Sequence, residues 1–216
     1  MSLRFTLRAD GPTDCMLMPI IRWALLKQLP AEEIHGQFAN PKSLPRGSSS
    51  KLDRSIRAAV DFFPCDVLFI HRDAENELPA KRLEEIKKAT EYPDVFSSPF
   101  VPVIPVRMSE AWLLIDERAI RRAAGNPNGK IHIALPSIKN LEKLPDPKQE
   151  LRAILKSASG LGGRRLKAFR TDDCIPLISE LIADFSALGK LTAFQQFMAD
   201  VRLFCNRFQS SDHEQT

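Results

Sequence analysis

The sequence predicts an α/β protein with a mostly parallel sheet of about four strands flanked by helices. Short β-type runs alternate with segments of helical period over the first 125 of its 216 residues, and such alternation is typical of parallel sheets covered by helices. One run, at 66–70, is almost continuously apolar, as in a strand that is buried on both faces. Acidic residues follow two of the predicted strands, at the edge where parallel folds bind ligands.

The elements of this first domain, 1–125, follow from apolar spacing and from the residues that stop each segment. The run at 34–38 is only moderately strand-like, and the run at 101–106 carries two prolines, which favours an edge strand. A polar loop rich in Pro, Gly and Ser covers 39–50. In chain order, we predict a strand at 3–8, a helix at 14–29, a strand at 34–38, a helix at 52–63, a strand at 66–70, a helix at 79–92, a strand at 101–106 and a helix at 110–124 that is capped by Ser109.

The chain after residue 125 changes character and predicts a mainly helical extension, 126–208, packed on the first domain. The polar residues 209–216 are expected to form a disordered tail. An apolar stripe in the last helix indicates core packing, and any exposed excess is expected to carry self-association or partner docking. Helices are expected at 146–159, 174–188 and 192–208, a glycine-rich loop at 160–163, and the stripe comprises Phe194, Phe197, Val201 and Phe204.

Composition excludes several classes of protein. Hydrophobic residues make up 44% of the chain and charged residues 27%, as in an ordinary globular protein. No apolar run predicts a membrane helix, and the first residues lack the pattern of a secretory signal. The four cysteines (Cys15, Cys65, Cys174 and Cys205) form no CxxC pair, so we expect free thiols in a reducing cytoplasm rather than a zinc site.

The formal net charge of +4 permits an anionic partner without requiring one. Basic residues gather at 42–57 and again at 164–170, behind the glycine-rich loop. Such a group is either a solvated face or a nucleic-acid contact, and charge alone leaves both alternatives open. If nucleic acid binds, the expected phosphate contacts are Lys148, Arg164, Arg165 and Lys167.

Acidic side chains are predicted to meet at the carboxyl edge of the sheet. Oxygen ligands there can converge on one hard cation, and phosphoryl transfer needs such a metal together with an acid or base. Asp10 also fits a plain turn, and Asp14 also fits a helix cap. Glu75 also fits a solvated loop, and Glu110 a favourable charge at a helix N-terminus. The acids at this edge are Asp10, Asp14, Asp73, Glu75 and Glu110.

Five short motifs extend this pattern: Asp-Gly-Pro-Thr-Asp at 10–14, His-Arg-Asp-Ala-Glu at 71–75, Glu-Ala-Trp-Leu-Leu-Ile-Asp at 110–116, Asp-Pro-Lys at 146–148 and Gly-Gly-x-x-x-Lys-x-Phe at 162–169. In order and spacing they resemble the motifs of Toprim-like proteins, the α/β metal-binding modules of topoisomerases, primases and OLD-family nucleases. More specifically, they resemble Toprim-like proteins that are often encoded beside ABC/AAA-type ATPases, some of them in phage-defence loci. The resemblance covers about residues 3–208.

The resemblance implies a metal-dependent phosphodiester hydrolase, a nuclease that works with an ATPase partner in antiviral defence. Asp10 would be its general acid or base, where the family has a glutamate that is one methylene longer. His71 stands where the family has a metal-binding aspartate; it also fits a neutral histidine at a strand end, and imidazole suits zinc or manganese better than magnesium. The alternative is a catalytically weakened Toprim-like subunit with an interaction or regulatory role. The implied ligands, for weakly bound Mg²⁺ or Mn²⁺, are Asp14, His71, Asp73, Glu75 and Glu110.

Overall fold

A computed structural model describes residues 2–48, 51–91 and 98–213. Its centre is a single sheet with the strand order β2-β1-β3-β4, in which every neighbouring pair is parallel. The α/β prediction is therefore confirmed, and the strand after residue 99 lies at an edge as its prolines predicted. The strands are β1 (Ser2–Arg8), β2 (Glu33–Ala39), β3 (Val67–His71) and β4 (Phe100–Val103).

Eight α-helices are described, and they cover both faces of this sheet. Side chains alternate along β3, so that Phe69 faces the larger core while Leu68 and Ile70 face the smaller one. The helices are α1 (Leu17–Gln28), α2 (Leu52–Phe62), α3 (Pro79–Thr90), α4 (Glu117–Ala123), α5 (Pro147–Ser159), α6 (Gly163–Ala168), α7 (Thr171–Leu181) and α8 (Thr192–His213). The smaller core is formed with α2 and α3, and the larger one with α1, α4, α5, α7 and α8.

The predicted helix at 110–124 is wrong as a single element. The chain forms a 3₁₀ helix at Ser109–Leu113 and then α4, whose first turn is capped by Asp116 through a 3.0 Å hydrogen bond from the Ala119 amide. Ser109 makes no cap with its side chain. Asp116 lies inside the apolar run, and its side chain can cap the first turn of a helix. The chain therefore begins a new helix after Asp116 instead of continuing the one before it.

The predicted helix at 174–188 also begins and ends elsewhere. α7 ends at Leu181, and a separate 3₁₀ helix follows at Ser186–Lys190. Asp184 accepts hydrogen bonds from both the amide and the hydroxyl of Ser186, which stabilises the turn between them. α8 continues through 209–213, the first five residues of the segment expected to be disordered, and residues 214–216 lie outside the described part of the chain.

The aromatic stripe of α8 belongs to the larger core. The ring of Trp112 lies 5.2 Å from that of Phe194 and 5.9 Å from that of Phe197, measured between centroids. Phe194, Phe197, Val201 and Phe204 are all buried, so the stripe has no exposed excess to offer a partner. Among the described residues, no helix has both the length and the apolar character needed to cross a bilayer.

Candidate functional site

Charged side chains from five elements of the chain meet at the carboxyl edge of the sheet. They come from the ends of β1 and β3, from the 3₁₀ helices Pro12–Met16 and Ser109–Leu113, and from the first turn of α5. Parallel strands bring their carboxyl ends to one edge, which is why residues so far apart in sequence become neighbours here. We call this group the edge cluster: Arg8, Asp10, Asp14, His71, Arg72, Asp73, Glu110 and Lys148.

His71 is the centre of the edge cluster and is fully buried at the end of β3. Its Nδ1 lies 3.3 Å from Asp14 Oδ2 without forming a hydrogen bond, and its Nε2 lies 3.1 Å from Asp73 Oδ1. Burial alone would lower the pKa of His71, but contact with the two carboxylates outweighs burial and raises that pKa to about 10. The two carboxylates therefore favour the imidazolium form of His71 between Asp14 and Asp73 over the neutral histidine considered from sequence.

Asp14 and Asp73 are both held by backbone amides as well as by His71. Asp14 Oδ2 accepts a 2.8 Å hydrogen bond from the Gly11 amide, and Asp73 Oδ1 accepts a 2.9 Å hydrogen bond from the Ser109 amide. Burial acts to raise the pKa of Asp14, but His71 and the Gly11 amide outweigh it, and the pKa is lowered. Asp14 is not the N-cap considered from sequence, because α1 begins at Leu17 without a side-chain cap. It lies inside the preceding 3₁₀ helix, where it accepts from the Gly11 amide and contacts His71.

Glu110 and Lys148 form the second ion pair of the edge cluster. Lys148 Nζ lies 3.2 Å from Glu110 Oε1, whose side chain is only 4% exposed. Burial raises the pKa of Glu110 even though Lys148 opposes the shift. The Asp-Pro-Lys motif explains how the lysine is placed: Asp146 caps α5 by accepting from the Gln149 amide, Pro147 occupies the first turn, and Lys148 follows.

Asp10 lies between two arginines at the mouth of the edge cluster. Arg8 Nη1 donates to Asp10 Oδ1 at 2.8 Å, and Arg72 Nε lies 3.0 Å from Asp10 Oδ2. Arg8 is buried at the end of the central strand β1, whereas Asp10 is 45% exposed. Sequence reasoning missed both arginines; the available signal was a cation at the end of each of two predicted strands, next to the acids.

Glu75 does not join the edge cluster. It is 62% exposed, and its carboxylate lies 3.5 Å from Arg82. Its backbone adopts a φ of +54°, and its amide donates to the carbonyl of Arg107 at 2.8 Å. Glu75 therefore matches the plainer alternative, a solvated loop acid.

The edge cluster supplies carboxylate oxygens, but its own cations already occupy them. Asp10 contacts two guanidinium groups, Glu110 an ammonium group, and Asp14 and Asp73 share one imidazolium. Throughout the described ranges, no three His, Cys, Asp or Glu side chains are arranged to hold a metal ion. As placed, these residues do not fit a Mg²⁺ or Mn²⁺ centre, which needs several oxygens directed at one point.

The four predicted phosphate contacts separate into two places. Lys148 belongs to the edge cluster, whereas Arg164, Arg165 and Lys167 are exposed on the short helix α6.

No protein-family model, curated protein or solved structure matches the chain. Function is therefore inferred from the geometry of the protein's own residues and from the motifs that they form.

Proposed function

We propose that this chain is a Toprim-like regulatory or interaction subunit of an ABC/AAA-type ATPase system in the cytoplasm. The observation that carries the proposal is the position of His71, buried between Asp14 and Asp73 and in contact with both. The ATPase partner and the setting in antiviral defence come from the family resemblance.

The charges of the edge cluster support a weakened metal site. Its four carboxylates face three permanent cations and one histidine. Near a protein surface two unit charges about 4 Å apart interact by roughly 4 kcal/mol, and a divalent ion doubles that figure for each charge. Because each basic group repels a metal about as strongly as one carboxylate attracts it, the edge cluster offers a divalent cation little net attraction.

A metal-dependent nuclease is the second candidate, and the convergence of the acids favours it. Asp14 and Asp73 share one histidine, the Ser109 amide holds Asp73, and the next residue is Glu110. In this alternative Asp10, the most exposed acid of the group, would serve as general acid or base, and the neighbouring carboxylates would have to exchange their present basic partners for Mg²⁺ or Mn²⁺. The metal would stabilise negative charge on the phosphate.

A nuclease assay with matched variants separates the two candidates. Labelled single-stranded and duplex DNA and RNA are incubated with Mg²⁺ or Mn²⁺, with and without the product of the neighbouring gene, which the resemblance predicts to be an ABC/AAA-type ATPase. We expect wild type to cleave no faster than Asp73→Asn, which removes a central carboxylate charge. The control Glu75→Gln removes a charge outside the edge cluster. Metal-dependent cleavage that Asp73→Asn abolishes and Glu75→Gln retains would establish the nuclease and overturn the regulatory proposal.

The partner is tested separately by size-exclusion chromatography of the chain mixed with that ATPase, with and without ATP. We expect a complex that co-elutes, and we expect its ATPase rate to differ from that of the ATPase alone. Separate elution with an unchanged ATPase rate would contradict the regulatory role.

A further inference from the structure

A strongly basic segment of the chain lies at 148–173. The segment contains seven of the chain's 31 Lys and Arg and three of its 27 Asp and Glu, so 24 basic and 24 acidic residues remain outside the segment. A net charge of +4 within 26 residues produces a positive electrostatic potential around the segment. Such a potential attracts negatively charged partners.

The fold gathers this surplus around one cleft. A cavity of about 420 Å³ opens between α5, α6 and the start of α7, a size that accommodates a small ligand or a single nucleotide unit. We call it the basic cleft; the lining residues that matter are Arg152, Lys156, Lys167, Phe169, Arg170 and Asp172. Arg164 and Arg165 lie beside it on α6, and both are exposed.

The basic cleft is continuous with the edge cluster along α5. Lys148, Arg152 and Lys156 are four residues apart, so they follow one side of the helix. At a rise of 1.5 Å per residue, the row extends about 12 Å, roughly the length of two nucleotides of an extended strand. The row begins at the Glu110–Lys148 ion pair and ends in the basic cleft.

One residue of the basic cleft distinguishes nucleic acid from other polyanions. Phe169 is only partly buried, although its ring also packs against the larger core. A fixed aromatic side chain beside several cations can stack on a base, and a single strand is the polyanion whose bases are free to stack. A phosphate-bearing membrane surface or phosphopeptide can pair with the cations but offers no base for the ring to stack on.

Arg152 already pairs with a carboxylate in the geometry with which it would bind a phosphate group. Its Nε and Nη2 each donate a 2.7 Å hydrogen bond to one of the two carboxylate oxygens of Asp172. This bidentate geometry is the one that a phosphate group offers to arginine. Asp172 thus keeps the guanidinium oriented in the cleft and competes with an incoming anion.

From these observations we propose that the basic cleft and the α5 row bind single-stranded nucleic acid. This binding does not require hydrolysis at the edge cluster, so the proposal holds whether or not the chain is a nuclease. The cations contact phosphates, and Phe169 stacks on a base.

The test is fluorescence anisotropy of labelled 12-nucleotide DNA and RNA with the full chain, at several NaCl concentrations. The variant Lys156→Glu/Lys167→Glu reverses two charges of the cleft. We expect its affinity to fall at least tenfold and its salt dependence to weaken, by about 0.7 in logarithmic slope for each phosphate that the cleft no longer neutralises. The matched control Lys87→Glu/Lys88→Glu reverses two exposed charges on α3, outside both basic groups, and is expected to bind like wild type.

Two further variants test the roles of the ring and of the acid separately. Phe169→Leu is expected to weaken oligonucleotide binding several-fold with an unchanged salt slope, and to leave inorganic polyphosphate binding unchanged. Asp172→Asn is expected to tighten binding. Equal loss in the α3 control, a preference for duplex over single strand, or equally tight binding to phosphatidylserine vesicles with no effect of Phe169→Leu would each overturn the proposal. Thermal melting of every variant establishes that it is folded.

Discussion

His71 Nε2 lies 3.1 Å from Asp73 Oδ1, and one residue separates the two on the chain. Residues two positions apart in an extended segment project to the same side, so the end of β3 brings them together without a turn. Asp14, on the 3₁₀ helix after β1, contacts the other ring nitrogen of His71. The central strands of the sheet are therefore joined at their carboxyl edge by a buried histidine.

The stability of the protein is expected to fall as pH rises from about 6.5 towards 10. The pKa of His71 is raised from 6.5 to about 10 in the folded state. A raised histidine pKa stabilises the fold fully below its unfolded value, and this contribution is lost as pH rises through the folded value. Thermal unfolding of wild type and His71→Asn from pH 5 to 10 measures it as a gap in Tm that narrows with rising pH. The control His35→Asn, at an exposed histidine, should show no such trend, and a gap independent of pH would contradict the prediction.

Removal of Lys148 is expected to destabilise the protein more at pH 8 than at pH 5. Lys148→Met leaves the buried carboxylate of Glu110 without its cation, and because the lysine is partly exposed we expect a loss of about 1–2 kcal/mol at pH 8. Burial already raises the pKa of Glu110, so the carboxyl group takes up a proton more readily as pH falls and the loss shrinks. Urea unfolding at both pH values measures the effect. Lys156→Met, at an exposed site of the same helix, should change stability by less than about 0.5 kcal/mol.

Sequence periodicity was sufficient for the sheet because the strands are separated by helices with clear apolar faces. Weaker local signals left β2 uncertain, and Gly36 is the reason. Gly36 is paired with Phe5 in the register of β1 and β2, and the Phe5 ring leaves no room for a side chain at position 36. Glycine meets that requirement, but it lowers the β propensity of the segment. No local pattern reveals that requirement.

The site was predictable only in part for a similar reason. Asp10, Asp14, Asp73 and Glu110 follow strand ends or begin the next element, so topology alone brings them to one edge. Their partners depend on packing between distant segments: Lys148 reaches Glu110 from the first turn of α5. An ion pair between distant segments has no characteristic spacing in the sequence, so it could not be predicted. It also decides whether an acid is available to bind a metal ion.

Gly36→Ala is expected to destabilise the protein by about 1–3 kcal/mol. A Cβ atom at this position would lie 2.5 Å from Phe5 Cζ and 2.7 Å from Met18 Cε. The methionine can move, but the Phe5 ring is buried in the larger core and has little freedom to do so. Chemical denaturation measures the loss against Gly189→Ala, where a Cβ meets no atom within 4 Å. Equal stability of the two variants would show that β2 can shift to relieve the clash.

The aromatic stripe of α8 is expected to support the fold and not a partner. Phe197 is buried against the rings of Trp112 and Phe69, so Phe197→Ala should cost about 3–5 kcal/mol of unfolding free energy. Leu203 lies on the same helix but is 52% exposed, and Leu203→Ala should cost less than about 1 kcal/mol. Urea unfolding gives both values, and sedimentation velocity gives the assembly size of each variant. If Phe197→Ala kept wild-type stability but altered self-association, the stripe would be an interface between molecules and not part of the core.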